Sequence, residues 1–415
     1  MTAVAALALA LGFGCGSKSS GGPSETGGSG GSTGAGGTTS QGGSGGEAAC
    51  TIPGQSHHNG GPCACSDDTP MACPTVGCID PKTDNDHCGG CDTKCSGASQ
   101  CVNGKCGPTP TTVVPAPASG CTQVRLALSG STLYWTDTGN GTVKSIGTAA
   151  GATATTIAST QMKPTLLSVV GTTLFWLDTG SKTLMKATLP TGTPATVYTS
   201  ATDINGFVAS SDAGTVYFSS GMNISKVAAA GGTPTVVDTQ SDGIPMALAL
   251  EGTTIAFGSQ QAQDVDAIYL KDGMTSMCGQ PDANGNGQCS NGLRIGRSEG
   301  SIFFDTMYLI GGNAYWSHNF DLTMNATQPA AGGKAATEVQ ITTAANFSPF
   351  TSFTITGQTA YFTEDGYVES TPLTAGSTAI VLARNQSSPF SIAADANNIY
   401  WATKDCAISS MPVPK

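Results

Sequence analysis

Leu133-Tyr134-Trp135 is the first of seven apolar-aromatic triplets that recur between residue 120 and the last residue of the chain. The other six are Leu174-Phe175-Trp176, Val216-Tyr217-Phe218, Ile255-Ala256-Phe257, Ala314-Tyr315-Trp316, Ala360-Tyr361-Phe362 and Ile399-Tyr400-Trp401. We call the third residue of each triplet the anchor. Successive anchors are 39 to 59 residues apart, and all four tryptophans of the chain are anchors. This recurrence indicates a repeat architecture, because scattered core aromatics would not share one position.

Each repeat has the pattern of four short strands. An alternating apolar strand precedes the triplet, and in five repeats a glycine stands five residues before the anchor, where a tight hairpin needs positive φ. A third strand and a β-branched fourth strand follow the triplet. The sequence therefore predicts an all-β fold in which residues 107–415 form a β-propeller of about seven four-stranded antiparallel blades. A solenoid is the alternative, but its terminal repeats would need polar caps.

The two ends of the repeat region predict how the ring closes. The last repeat lacks a fourth strand, and Thr111-Thr112-Val113-Val114, which precedes the first repeat, is suited to supply it. Cys121 and Cys406 would then lie in neighbouring blades, and we predict a disulfide between them. We also predict a disulfide between Cys278 and Cys289, which enclose an insertion in the longest interval.

Tyr134-Trp135-Thr136-Asp137 resembles the YWTD repeat of propellers of the low-density-lipoprotein-receptor type and, more loosely, NHL-type propellers. Phe175-Trp176-Leu177-Asp178 is a partial copy. Receptor propellers of that family have six blades, whereas seven repeats are present here. The resemblance implies a propeller fold and no particular ligand.

The first 49 residues have the composition of an export signal followed by a tether. Ala3 to Phe13 is a short apolar stretch, so residues 1–14 are predicted to be a signal peptide. Small residues precede Cys15, as in a bacterial lipobox, and this resemblance implies that Cys15 carries a lipid. Residues 15–49 are almost entirely Gly, Ser and Thr, which predicts a disordered linker.

Residues 50–106 hold ten of the 15 cysteines and few large apolar residues, so this segment needs covalent cross-links in place of a core. Its second half, from Cys78 to Cys106, resembles the Stig1-type repeat of plant stigma-specific proteins and similar cysteine-rich segments of predatory soil bacteria such as myxobacteria. Cys63, Cys65, Cys88 and Cys91, with nearby histidines, also offer zinc-ligand spacing. In an exported chain disulfides are favoured over zinc.

Charge and hydropathy exclude several classes of partner. The net charge is −11, and the 17 lysines and arginines are scattered singly, so no nucleic-acid partner is predicted. No apolar run reaches the ~20 residues of a transmembrane helix. We therefore expect contact with a membrane through the lipid anchor only. The predicted location is the cell envelope, at the outer membrane.

The insertion between Cys278 and Cys289 contains Asp282-Ala-Asn284-Gly-Asn286-Gly287. Oxygen side chains at alternate positions before a glycine are typical of calcium loops. The twelfth loop position, however, is Leu293 where a bidentate glutamate is expected. Two interpretations stay open: calcium bound by Asp282, Asn284 and Asn286, or ordinary turn chemistry. No other cofactor is predicted.

Polar residues follow the anchors and would lie on loops at one rim of the ring. They form a predicted ligand site consisting of Asp137, Asp178, His318, Glu364 and Asp365, with Asp405 beside it. In YWTD-type blades the equivalent acid makes structural hydrogen bonds, which is the alternative role.

Three functions remain open at this point. The first is a non-catalytic binding scaffold for a protein or glycan partner. The second is a propeller hydrolase or lyase acting on polysaccharide or peptide, and the third is a purely structural envelope protein. The sequence has no G-x-S-x-G or H-E-x-x-H motif, so no catalytic residue is predicted and binding is favoured over catalysis.

Overall fold

The computed structural model describes most of the chain from residue 69 onward. The described residues are 52, 55–57, 63–66, 69–96, 99–117, 124–240, 243–259, 264–271, 275–277, 293–297, 306–318, 321–326, 339–343 and 350–414. The predicted signal peptide, Cys15, the linker, and the calcium candidates Asp282, Asn284 and Asn286 lie outside this part of the chain. Their assignments stay predictions.

Seven sheets, which we call blades one to seven, follow one another along the described chain. Their first strands are Val124–Ser129, Pro164–Val170, Ile204–Ala209, Pro245–Glu251, Met307–Ile310, Ser352–Thr356 and Pro389–Ala394. Their second strands, which contain the triplets, are Thr132–Asp137, Thr173–Asp178, Thr215–Ser220, Thr254–Ser259, Asn313–His318, Thr359–Glu364 and Asn398–Thr403. Their third strands are Thr142–Gly147, Thr183–Thr188, Asn223–Ala228, Asp264–Lys271, Asp321–Ala326, Tyr367–Pro372 and Ile408–Pro412.

The outer strands are Thr155–Ala158, Ala195–Thr199, Thr235–Thr239, Thr275–Met277, Val339–Thr343, Ile380–Ala383 and Thr111–Val114. All pairings within the blades are antiparallel, which confirms the predicted architecture. Blade four differs from the expectation of four strands, because Thr275–Met277 and Leu293–Arg297 both pair with Asp264–Lys271. The cysteine-bounded insertion separates these two strands. In the described residues every regular element is a strand, and no helix is long and apolar enough to cross a bilayer.

Blade seven is completed from the other end of the propeller, as predicted. Thr111–Val114 pairs with Ile408–Pro412, with Val114 opposite Ile408 and Thr112 opposite Ser409. Cys406, in the turn before that strand, is disulfide-bonded. Its predicted partner Cys121 lies outside the described residues, as do Cys278 and Cys289, so both pairings stay predictions.

The described core of the propeller consists of seven clusters, each shared by two neighbouring blades, and one of them joins blade seven to blade one. The ring is therefore closed. Trp176 packs against blade one, whereas Phe175 beside it packs against blade three. Successive side chains of a strand point to opposite faces of its sheet. Consecutive large apolar residues therefore recur because each blade is buried on both faces.

In five blades a glycine lies in the turn between the first and second strands. Gly130, Gly171, Gly252, Gly311 and Gly357 have φ between 55° and 61°, which confirms the predicted left-handed geometry. Positive φ is disfavoured for residues that carry a Cβ. The glycine spacing is therefore a requirement of the hairpin.

The cysteine-rich segment contains three short hairpins, formed by Ser56–His57 with Cys63–Ala64, Met71–Cys73 with Gly77–Ile79, and Cys101–Val102 with Lys105–Cys106. Four disulfides hold its described part: Cys65–Cys78, Cys73–Cys91, Cys88–Cys101 and Cys95–Cys106. The zinc interpretation is therefore wrong for Cys65, Cys88 and Cys91. Stable disulfides of this density are typical of proteins outside the reducing cytosol.

Gln100 fastens this segment to blade six. Its side-chain amide donates to the Arg384 carbonyl (3.0 Å) and accepts from the Arg384 amide (2.6 Å). Arg384 directly follows the outer strand Ile380–Ala383. The Gln100 side chain thus pairs with both the backbone amide and the backbone carbonyl of Arg384, as a neighbouring strand would.

Buried tyrosines predict a loss of stability in alkali. Burial raises the pKa of Tyr217, Tyr308, Tyr315, Tyr361 and Tyr400. Because the folded chain favours the neutral phenols, their contribution is complete below the unfolded pKa of about 10 and is lost as pH rises through the folded values. We expect Tm to fall above about pH 10, and less steeply in Tyr308→Phe. Thermal melts of both proteins across this range test the prediction, and parallel curves would contradict the role of Tyr308.

Candidate functional site

A cavity of about 530 Å³ lies on the axis of the ring and is lined by residues from all seven first strands. Most lining residues are apolar by type, but the surface that they expose to the cavity is more polar than apolar. Its volume lies within the roughly 300–1,000 Å³ of small-molecule sites. No feature of the sequence predicts this cavity.

The first strands contribute residues at one repeated register to the lining of the cavity. One residue of each first strand is paired with the middle residue of the triplet, and these seven residues line the cavity: Ala127, Ser168, Val208, Ala249, Tyr308, Thr354 and Ala393. Five of them are Ala, Ser or Val. The remaining two join across blades five and six, since the Tyr308 hydroxyl donates to Thr354 Oγ1 at 3.1 Å.

Irregular pairing bends four of the first strands. The register shifts between Pro164 and Leu167, between Ile204 and Gly206, between Met246 and Ala249, and between Pro389 and Ser391. A Cβ on Gly206 would lie 3.1 Å from the Ala247 amide nitrogen, so glycine permits the close approach of blades three and four. Such bulges re-aim side chains. Here they lie in the wall of the cavity.

Arg125 is the one charged side chain among the lining residues. Its guanidinium carbon lies 5.7 Å from the centre of the Phe390 ring, in cation–π geometry. Ser391 Oγ, also in the lining, accepts a hydrogen bond from the Leu126 amide at 3.0 Å. The cavity therefore offers a surface that is more polar than apolar, with one charge beside an aromatic ring and a few hydroxyls.

The predicted rim acids of blades one and two are strand-end residues, not loop residues. Asp137 and Asp178 are each 4% exposed. The Asp137 carboxylate accepts hydrogen bonds from the Asn140 amide (3.0 Å) and side chain (2.8 Å). The Asp178 carboxylate accepts from the amides of Met162 (2.9 Å) and Lys163 (2.7 Å) in the loop that leads into blade two. Both carboxylates therefore hold a neighbouring loop in place through hydrogen bonds.

The other predicted rim residues differ in their surroundings. Glu364 is fully buried at the end of its strand. Asp365 is exposed and accepts from Ser388 Oγ at 2.9 Å, and Asp405 accepts from Thr403 Oγ1 at 2.5 Å. His318 ends the second strand of blade five, but its side chain lies outside the described set. The assignment of these residues to one ligand site at the rim stays a prediction.

Asp178→Ala should lower the free energy of unfolding by about 1–3 kcal/mol, because two amides lose a charged acceptor. The exposed Asp365→Ala change should stay within about 0.5 kcal/mol. Urea unfolding of both variants measures the difference. Equal, small losses would show that the Asp178 carboxylate does not hold the loop.

Gln161 and Gln386 were missed by the sequence analysis. Trp176 Nε1 donates to Gln161 Oε1 (2.9 Å), and Trp401 Nε1 donates to Gln386 Oε1 (3.0 Å). Both glutamines stand 15 residues before their tryptophan. The backbone N–H groups of the two glutamines donate to the Gly141 and Gly366 carbonyls of the preceding blade. This constant spacing of 15 residues from an anchor tryptophan is the sequence signal that could have identified both glutamines.

Cys88, Cys95 and Cys106 form the one group of three potential metal-ligand side chains found among the described residues. All three are in disulfides, which removes them as thiolate ligands. No described residues test the calcium interpretation of the insertion.

No protein-family model matches the chain, and no curated protein matches it. Solved propellers do resemble it in fold. A catalytically inactive histidine-to-alanine variant of virginiamycin B lyase from Staphylococcus aureus, solved with quinupristin, has a TM-score of 0.55 at 10% identity and covers 74% of this chain and 100% of its own. A streptogramin B lyase has a TM-score of 0.54 at 12% identity, covering 74% and 98%.

The computationally designed Ika8 protein has a TM-score of 0.51 at 11% identity, covering 73% of this chain and 98% of its own. At these identities the likeness establishes the fold and not the function.

Proposed function

We propose that this chain is a lipid-anchored protein of the cell envelope whose propeller binds a protein or glycan partner without chemical conversion. Binding takes place at the upper rim, defined as the loops between blades together with the loops between second and third strands. The disulfides of the cysteine-rich segment support an oxidising location. Cys15 supplies the lipid anchor, and residues 16–49 supply the tether.

One observation carries this proposal: the upper rim is fastened at repeated points. Asp178 holds the loop before blade two by two amides, and Gln161 holds the same loop to Trp176. Gln386 holds the loop before blade seven in the same way. Loops that are ordered before binding lose little entropy on binding, so a fastened rim favours affinity.

Met162 offers the sharpest test of the rim, because it lies in the fastened loop and is 66% exposed. Soluble protein comprising residues 50–415 would be immobilised and offered envelope glycans and envelope proteins. Met162→Asp should abolish capture of the specific partner. The matched control is Val236→Asp, 52% exposed on the outer strand of blade three, which should leave capture unchanged. Equal capture by both variants, or no capture by the unmodified protein, would contradict rim binding.

Metabolic labelling with a palmitate analogue tests the anchor separately. The full-length chain should incorporate label, and Cys15→Ala should not. Label that persists in the Cys15→Ala variant, or none in the wild type, would remove the anchor from the proposal.

The alternative is an enzyme acting on polysaccharide or peptide, which the fold shared with the lyases favours by analogy. His318 is the one histidine in the sequence of residues 107–415, and it ends a second strand at the upper rim. It is therefore the candidate catalytic residue for this alternative. Turnover of an envelope polymer that is lost in His318→Ala, with folding intact, would favour the enzyme over the scaffold.

A further inference from the structure

The sulfur atoms of two disulfides in the cysteine-rich segment lie next to one another. Cys88–Cys101 and Cys95–Cys106 are separate bonds, yet Cys88 Sγ lies within 4.8 Å of both sulfurs of the second bond. A thiolate exchanges with a disulfide when it reaches one of the bonded sulfurs. The two bonds can therefore trade partners without a large movement of the chain.

The backbone is compatible with an alternative pairing, in which Cys88 is bonded to Cys95 and Cys101 to Cys106. Cys101 and Cys106 are directly opposite each other in the hairpin 101–106, which we call the docking hairpin. Residues opposite each other in an antiparallel pair have Cα atoms about 4.5–5.5 Å apart, and disulfides span about 4.4–6.8 Å. Each of the four cysteines thus has a second partner within reach.

The alternative pairing changes what the docking hairpin is attached to. Among the disulfides of the described residues, these two bonds are the ones that join the hairpin to the preceding part of the segment. In the alternative pairing neither bond joins them. The hairpin itself stays on the propeller, because Gln100 bonds Arg384 and the chain continues from the hairpin into Thr111–Val114.

One of the four sulfurs is open to a dissolved thiol. Cys106 is exposed, whereas Cys88, Cys95 and Cys101 are buried. We call Cys95–Cys106 the exposed bond and Cys88–Cys101 the buried bond. Attack by a dissolved thiolate depends on access to a sulfur, so the exchange begins at Cys106.

We propose that these four cysteines form a thiol-triggered switch that uncouples the preceding part of the cysteine-rich segment from the propeller. A small-molecule thiol attacks Cys106 Sγ as a thiolate, forms a mixed disulfide and releases the Cys95 thiolate. That thiolate attacks Cys88 Sγ and expels Cys101 as a thiolate. Cys101 then attacks Cys106 Sγ, completes the new bond and returns the small thiol. Two disulfides break and two form, so there is no net oxidation or reduction.

Disulfide mapping of the full-length protein tests the switch. The protein would be incubated with reduced glutathione, quenched with acid and N-ethylmaleimide, and digested with trypsin and elastase. Cleavage after Lys94, Ala98 and Lys105 places the four cysteines on four different peptides. We expect the two native linkages to be lost together and the two alternative linkages to appear in equal amounts.

Two variants test whether the exposed bond is the entry point. Cys95→Ser with Cys106→Ser removes the exposed bond, so loss of the buried bond should slow at least about tenfold with the same thiol. The matched control, Cys65→Ser with Cys78→Ser, removes another disulfide of the segment and should leave that rate unchanged. Circular dichroism and thermal melts verify that each variant is folded.

Hydrogen exchange of the wild-type protein gives a readout that needs no variant. The Cys101 amide donates to Asn85 Oδ1 at 2.6 Å, and the Arg384 amide donates to Gln100 Oε1 at 2.6 Å. After thiol treatment the Cys101 amide should exchange about tenfold faster, because the hairpin has separated from the part of the segment that contains Asn85. The Arg384 amide should stay protected, because the hairpin remains on blade six.

Three results would overturn the proposal. The first is glutathione adducts or free thiols without the alternative linkages. The second is loss of the buried bond at the same rate with and without the exposed bond. The third is unchanged hydrogen exchange at Cys101 in protein that carries the alternative linkages. None of these readouts involves a rim partner, so a failure of the switch is distinguishable from a failure of the proposed function.

Discussion

Replacing Trp176 by alanine is expected to lower the free energy of unfolding by about 3–5 kcal/mol. The indole is fully buried between blades one and two, and its ring contributes to the cluster that joins them. Its removal leaves a cavity at an interface on which ring closure depends. Chemical denaturation monitored by circular dichroism measures the loss.

Two further variants separate packing from hydrogen bonding. Trp176→Phe keeps an aromatic ring but leaves Gln161 Oε1 without its donor, so a loss of about 1–2 kcal/mol is expected. Met162→Ala, in the same loop but exposed, should change stability by no more than about 0.5 kcal/mol. A loss below about 1 kcal/mol in Trp176→Ala would contradict the role of the anchors as interblade packing residues.

Interrupting the closing strand is expected to have the other large effect. The double substitution Thr112→Pro and Val114→Pro removes two amide donors from the strand that completes blade seven. We expect a loss of at least about 4 kcal/mol, because Val113 and Val114 also pack into the cluster that joins blades seven and one. Urea unfolding measures it.

A matched control removes an outer strand where the ring stays closed. Thr196 and Tyr198 lie opposite Met185 and Leu184 in blade two, as Thr112 and Val114 lie opposite Ser409 and Ile408 in blade seven. Thr196→Pro with Tyr198→Pro should cost less than the closing-strand variant. A closing-strand variant as stable as this control would show that ring closure adds nothing.

The disulfide of Cys406 provides an independent test of ring closure. If its partner is Cys121, as the sequence predicts, the bond spans nearly the whole propeller and constrains the unfolded chain by up to about 5 kcal/mol. Peptide mapping without reduction identifies the partner. A Cys406 peptide linked to any cysteine other than Cys121 would contradict the predicted pairing.

The sequence predicted the parts of the fold that repeat. The triplets fixed the blade count because each blade needs large residues on both faces, and the missing fourth strand of the last repeat identified Thr111–Val114. The disulfide connectivity could not be predicted, because ten cysteines in one short segment allow many pairings. The contact between Gln100 and Arg384 could not be predicted either, because a single side-chain amide that bonds the end of a strand leaves no periodic pattern in the sequence.

The candidate site was harder to predict than the fold. Asp137 and Asp178 were expected on loops, but each second strand extends two residues beyond its anchor and buries them. The cavity is lined by the first-strand residues opposite the middle of each triplet, and four first strands also carry a register shift on the side away from the hairpin turn. Sequence periodicity does not reveal a bulge that adds one residue to a strand.

The most direct test of the binding scaffold asks whether the propeller binds its partner without changing it. Partner captured by residues 50–415 would be held on the protein for many hours, released, and compared by mass spectrometry with partner that never met the protein. We predict saturable binding, loss of binding in Met162→Asp, and an unchanged mass. A partner released with a broken or rearranged bond, and spared by His318→Ala, would contradict the binding scaffold and establish an enzyme.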